Sequence, residues 1–285
     1  MSLKTTKWLA SENPNQVIIV DCRYNLVEAD QAAQEYAKAH IPFAHFVDLE
    51  VDLCGPKSEH GGRHPLPSAN QFANLLSRLG WESGKEIIAY DSDGSGAAHF
   101  WWLAQYFSID TVSILQGGFQ GWLNQGLPIT SDSPRSHVTR KPTLVPNPDL
   151  VVTRDFVLEN LGRYPLLDSR SYDRFMGYQE PIDKIAGRIP GSSHFDYKAV
   201  YVSPGEYHSL DTLRQHFASA LSQHPQPVVY CGSGVSACAN IFALHILGVQ
   251  ALLYAGSFSD WISYPDSPIE RGEITPGPRP DNPSG

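Results

Sequence analysis

Basic residues are in short supply in this chain of 285 residues: Lys and Arg total 21 against 30 Asp and Glu, a net charge of −9. No basic stripe runs along it. That speaks against a nucleic-acid binder and against docking on an anionic membrane. It leaves room for a small anionic substrate, because one local arginine can hold that. Long hydrophobic runs are missing too, and no apolar stretch approaches the ~20 residues of a membrane span. Met1 to Ala10 holds no apolar segment of the ~7–15 residues that a secretory signal requires. A cytoplasmic protein is therefore expected. Cysteines number only 4, namely Cys22, Cys54, Cys231 and Cys238. They form neither a Cys-x-x-Cys pair nor a zinc-type cluster, so no metal site is expected. In a reducing compartment disulfides are not expected either, which leaves at least one cysteine as a candidate nucleophile.

What is present points to a folded, duplicated α/β chain. Hydrophobic residues make up 41% and charged residues 18%, a globular composition. The length suits two domains better than one core. The chain also repeats itself. Val17 to Val20 leads into Asp21-Cys22-Arg23, and Pro165 to Leu167 into Asp168-Ser169-Arg170, each an apolar run ending in Asp-x-Arg. His40-Ile41-Pro42 then answers to Arg188-Ile189-Pro190-Gly191, and Phe46-Val47-Asp48 to His194-Phe195-Asp196. A second strand follows in each half, Ile87 to Tyr90 and Val228 to Tyr230. Each runs into a Gly/Ser loop and a helical stretch, and each half ends on a similar segment, Gly117 to Trp122 and Gly256 to Trp261. Strands alternating with helices predict two tandem domains, each a mainly parallel sheet flanked by helices. The expected division is 1–135 and 150–285, joined by a Pro/Ser/Thr-rich linker at 136–149. The Pro/Gly-rich tail from Thr275 to Gly285 is expected to be mobile.

The loop after Tyr230 carries the chemistry. It reads Cys231-Gly232-Ser233-Gly234-Val235-Ser236-Ala237 and opens a helix at the carboxyl end of a buried strand, where open α/β sheets place their ligands. Glycines let successive N–H groups converge into an anion-binding nest, and the helix N-terminus adds partial positive charge. A thiolate or persulfide on Cys231 would be stabilised there. Cys22, Cys54 and Cys238 read as packed residues. The matching loop of the first half has Asp91 in place of the cysteine, so that half is predicted to be catalytically silent. A cysteine-dependent phosphatase needs Cys-x5-Arg, and this chain has Ala237 at that arginine position, which argues against phosphatase chemistry.

Taken together, the two Asp-x-Arg motifs, Ile189-Pro190-Gly191, the Cys231 loop and the two Phe-x-x-Trp endings resemble the tandem-domain rhodanese-like sulfurtransferases, over roughly Trp8 to Glu270. Thiosulfate enzymes of that family place basic residues after the cysteine. The loop here is similar to the 3-mercaptopyruvate sulfurtransferase type. That resemblance implies transfer of sulfur from a small-molecule donor, through a persulfide on Cys231, to cyanide or a thiol such as thioredoxin or a low-molecular-weight thiol, with no cofactor. It implies Ser233 and His64 as a proton relay completed by Asp48 or Glu50, with Glu50 favoured. It implies Arg174 as a carboxylate ligand, with Gly232, Gly234, Val235 and Ser236 lining the substrate. Where that family often has Glu-Pro-Arg, this chain has Glu180-Pro181-Ile182. Arg188 is carried as the second cation, with Arg63 as the other candidate. The alternatives are a thiosulfate:cyanide sulfurtransferase on the same cysteine and a non-catalytic persulfide carrier.

Overall fold

The computed structural model describes residues 2–28, 30–134 and 137–272. The first half runs β1 (Leu3–Lys4), α1 (Thr6–Ser11), β2 (Val17–Asp21), α2 (Gln31–Lys38), β3 (Ala44–Phe46), α3 (Leu49–Asp52), α4 (Ala69–Arg78), β4 (Glu86–Tyr90), α5 (Ser95–Tyr106), β5 (Val112–Leu115) and α6 (Gly118–Asn124). The second half runs β6 (Val151–Val152), α7 (Arg154–Glu159), β7 (Leu166–Asp168), α8 (Tyr172–Met176), β8 (Ser193–His194), β9 (Tyr201–Ser203), β10 (Glu206–Tyr207), α9 (Leu210–Leu221), β11 (Val228–Tyr230), α10 (Ala237–Ile246), β12 (Leu252–Tyr254) and α11 (Ser257–Trp261). The two main sheets have orders β1-β5-β4-β2-β3 and β6-β12-β11-β7-β8, which correspond position for position. Every pairing within them is parallel.

The strands are apolar on both faces because both faces are covered. In β2, Ile18 and Val20 enter the central core, while Val17 and Ile19 pack outward with Leu9 and Trp122. In the second half Val229 points to the central core, and Val228 and Tyr230 pack outward with Phe258 and Trp261. The central core is shared by the two halves. Helices α5 and α10 pack against each other there, and Trp101 meets Phe242 edge-on with centroids 4.8 Å apart. Burying aromatic faces this way joins the domains by core packing rather than by tether.

Both Asp-x-Arg motifs are buried ion pairs that brace a strand end. Arg23 clasps Asp21 and donates to Ala39 O; Arg170 clasps Asp168 and donates to Gly187 O. Each guanidinium also stacks on a ring, Arg23 on Phe119 and Arg170 on Phe258. The stretch after residue 136 lies along the first half, with Thr139 N–H on Ser77 O and Asn147 N–H on Tyr106 O. The expected tail from Thr275 to Gly285 lies outside the described residues.

Candidate active site

Residue Cys231 follows β11 directly. Its N–H donates to Ser257 Oγ (3.1 Å), and Gly234 N–H donates to its Sγ (3.1 Å). Gly234 has φ +86°, and a Cβ there would sit 2.4 Å from Ala255 O, so both conformation and space require glycine. Gly232 is needed for a different reason. Its missing Cβ would lie 2.9 Å from Arg63 Nη2 and 3.2 Å from Arg174 Nη2, so its absence lets two guanidiniums close over the loop. Val235 turns its side chain into the central core, leaving only its backbone to the loop. Ser236 begins the turn into α10 without capping it by its side chain.

A relay crosses from one domain to the other. Ser233 Oγ lies 2.7 Å from His64 Nδ1, and His64 Nε2 lies 3.0 Å from Glu50 Oε1. Glu50 is carried by α3, whose N-cap is Asp48: its carboxylate accepts the N–H groups of Glu50 and Val51. Of the two acids, Asp48 therefore caps the helix and Glu50 reaches the histidine. Burial works against the Glu50 charge, but the Lys57 hydrogen bond and His64 outweigh it and hold its carboxyl below the usual range. Burial also lowers His64 below its ordinary value, with Glu50 partly opposing. Near neutral pH the imidazole is thus uncharged. With Glu50 ionised, the ring proton sits on Nε2, and Nδ1 accepts from the Ser233 hydroxyl.

Arg174, on α8, reaches the loop at Gly232. Arg188 does not. It is fully buried, stacks on Phe175 at 4.5 Å, donates to Gly272 O (2.9 Å) and pairs with Glu270. Its place just before Ile189 makes it an anchor for the 270–272 segment, and the substrate-binding role expected of it is corrected. The second cation at Gly232 is Arg63, from the other domain. Three further residues do not stand out as site residues in the sequence. Asp183 bridges Arg63 and Arg174, with Arg174 Nη2 at 2.8 Å. Glu180 holds Arg174 Nε at 3.0 Å and accepts the N–H groups of Ile182 and Asp183. Ser257, at φ +55°, anchors the Cys231 amide in a left-handed conformation rare for serine. Glu-Pro-Ile-Asp carries no periodicity, so only the three-dimensional closeness of Arg63 to residue 183 reveals Asp183. The cluster is sealed: Cys231 is 2% exposed, Ser233 5% and His64 4%.

The first-half loop carries Asp91 where the second carries Cys231. Asp91 turns its carboxylate inward and accepts Gly94 N–H (2.7 Å), Gly96 N–H (2.6 Å) and Ala97 N–H (3.0 Å). The nest is filled by the chain's own carboxyl group.

A family model for the rhodanese-like domain matches the chain twice, at residues 5–125 and 153–264. The chain is 37% identical, over 95% of its length and 98% of the relative's, to a probable 3-mercaptopyruvate sulfurtransferase of Pseudomonas aeruginosa. It is 32% identical to the thiosulfate sulfurtransferase of Rattus norvegicus, over 95% and 96%. Among solved structures it resembles SseA of Escherichia coli, a 3-mercaptopyruvate sulfotransferase, with a TM-score of 0.79 and 29% identity over 91% of this chain and 99% of that one. Two matching domains, a cysteine loop at a strand end in one of them, and relatives of this class over nearly the whole length make the chain a tandem-domain sulfurtransferase of the rhodanese-like family.

Proposed function

We propose that this enzyme takes sulfur from 3-mercaptopyruvate and passes it to a thiol or cyanide through a persulfide on Cys231. The silent domain is 1–135 and the catalytic one 150–285. The observation that carries the donor choice is the relay Ser233–His64–Glu50. Thiosulfate departs as sulfite and needs no proton. Mercaptopyruvate departs as an enolate and does. In this reading Arg174 and Arg63 hold the donor carboxylate. The Cys231 thiolate forms the S–S bond as the donor C–S bond breaks, and the electron pair passes to the enolate. The donor's own S–H proton travels through Ser233 Oγ and His64 Nδ1 to the enolate carbon, leaving pyruvate and a Cys231 persulfide. A low-molecular-weight thiol or a thioredoxin-type dithiol in the cytoplasm then takes the outer sulfur.

The second reading is thiosulfate as donor, favoured by the two guanidiniums at Gly232. Mass spectrometry after exposure to each donor tests both. Mercaptopyruvate should add one sulfur to the native protein and none to Cys231→Ser, at an initial rate above that with thiosulfate. Faster loading by thiosulfate would overturn the donor assignment; full turnover by Cys231→Ser would overturn the persulfide.

A further inference from the structure

The two guanidiniums that face the Cys231 loop already hold a carboxylate. Arg63 Nη1 and Arg174 Nη2 take one oxygen each of Asp183, whose side chain is 3% exposed. Glu180 is built in more firmly, with Arg174, a longer contact to Arg170, and two backbone N–H groups. The carboxylate of Asp183 has only the two arginines among the described residues. Its neighbours Ile182 and Lys184 are exposed, so the segment can swing outward without opening the core. Both guanidiniums press on Gly232, the residue after the nucleophile.

We infer that Asp183 is a latch and a determinant of donor specificity: its carboxylate occupies the position that the donor's carboxylate takes, and an incoming anion must displace it before Cys231 is reached. The inference rests on the carboxylate-donor reading above. Exchange of one carboxylate for another leaves the charge around the two arginines unchanged. A neutral sulfur compound that pushed Asp183 aside would strand the partly buried Arg63 cation and leave Arg174 with Glu180 alone, which is unfavourable. The latch thus admits anionic donors and raises the concentration at which they saturate. Burial pushes the Asp183 carboxyl above its ordinary range, with Arg63 and Arg174 opposing, so the group is held less comfortably than a freely solvated one.

The test is Asp183→Asn, nearly the same in shape but without the charge. The KM for mercaptopyruvate should fall about fivefold or more while kcat stays within about twofold, as expected when a competing ion-pair partner is removed. Alkylation of Cys231 supplies a readout independent of any donor. Iodoacetate brings a carboxylate and iodoacetamide does not, so the ratio of their rates should rise about fivefold or more in Asp183→Asn and return toward the native ratio in Asp183→Glu. An unchanged KM and an unchanged alkylation ratio would sink the latch, as would a fall in kcat at constant KM. Should Asp183→Asn fold poorly, the native protein decides. Saturating pyruvate should speed amide hydrogen exchange at 182–186 by releasing the segment, and slowed or unchanged exchange overturns the inference. If the alkylation ratio shifts but mercaptopyruvate is not turned over, the donor assignment falls and the latch stands. If mercaptopyruvate is turned over normally and the ratio does not shift, the latch falls and the donor assignment stands.

Discussion

His64 sits between a buried hydroxyl and a half-exposed carboxylate, and that asymmetry sets its proton. Burial keeps the ring neutral below the pH at which a free histidine would charge, and Glu50 partly restores its basicity. In the proposed transfer from mercaptopyruvate the neutral ring accepts a proton, so the rate should fall only as pH drops through this depressed value. Glu50→Gln removes the group that favours the imidazolium, and the acid limb of the kcat/KM profile should move to still lower pH. A limb that moves up, or stays in place, contradicts the relay. His64→Ala should lower kcat with mercaptopyruvate by about 10²–10³-fold and leave thiosulfate turnover nearly unaffected, as measured by pyruvate and sulfite release. At this scale the sequence was readable where a residue lies within a repeated motif, as with Cys231 and Ser233. Arg188 misled because its motif neighbour Ile189 is real but the side chain turns to Glu270. Asp183 was invisible because its partner Arg63 lies 120 positions away in the chain.

Each nest is a loop that ends a central strand and starts a helix, and the two differ in what fills them. In the first-half loop the Asp91 carboxylate satisfies three buried N–H groups that would otherwise be orphaned. Asp91→Ala should therefore destabilise the protein by about 2–4 kcal/mol, read from denaturant unfolding, because those donors lose their partner. Persulfide formation on Cys231 should survive in the folded fraction. Burial, and Asp93 after it, pushes the Asp91 carboxyl up to about 7 against the pull of the three donors. Central strands such as Val17–Asp21 and Val228–Tyr230 were legible because burial on both faces leaves an unbroken apolar run. The edge strands Leu3–Lys4 and Val151–Val152 were not, since two residues cannot display a period. The β9–β10 hairpin was missed as well, for its pairing is short and bulged.

The two domains complete each other. The stretch after β3 carries Glu50, Arg63 and His64 onto the Cys231 loop, and Gly62 abuts Gly256 O. The stretch after β8 does the matching thing to the Asp91 loop. Tyr197 OH donates to Asp93, Tyr201 lies against Gly94, and Gly117 N–H donates to Gly205 O. With the α5–α10 packing added, the covalent link contributes little to holding the halves together. Trypsin cleavage after the exposed Arg140 should give two fragments that co-elute on size-exclusion chromatography and still load sulfur on Cys231. Fragments that separate, or that lose loading at once, would contradict a shared core. The duplication itself was legible from paired motifs. The mutual capping was not, because nothing in one strand's pattern says whose loop will cover it.

That reciprocal capping has the form of an isologous dimer, in which each partner offers the other the same patch. Were the chain cut in two and both halves given the cysteine loop, the arrangement would be a homodimer with two equivalent reaction centres, each borrowing its histidine from across the axis. In the single chain one copy carries Asp91 where the other carries Cys231, and it keeps what it lends. The first half then acts as a resident subunit: in the proposed reaction a change in its own loop matters through folding, whereas a change at Glu50, Arg63 or His64 is felt at Cys231 in the other half.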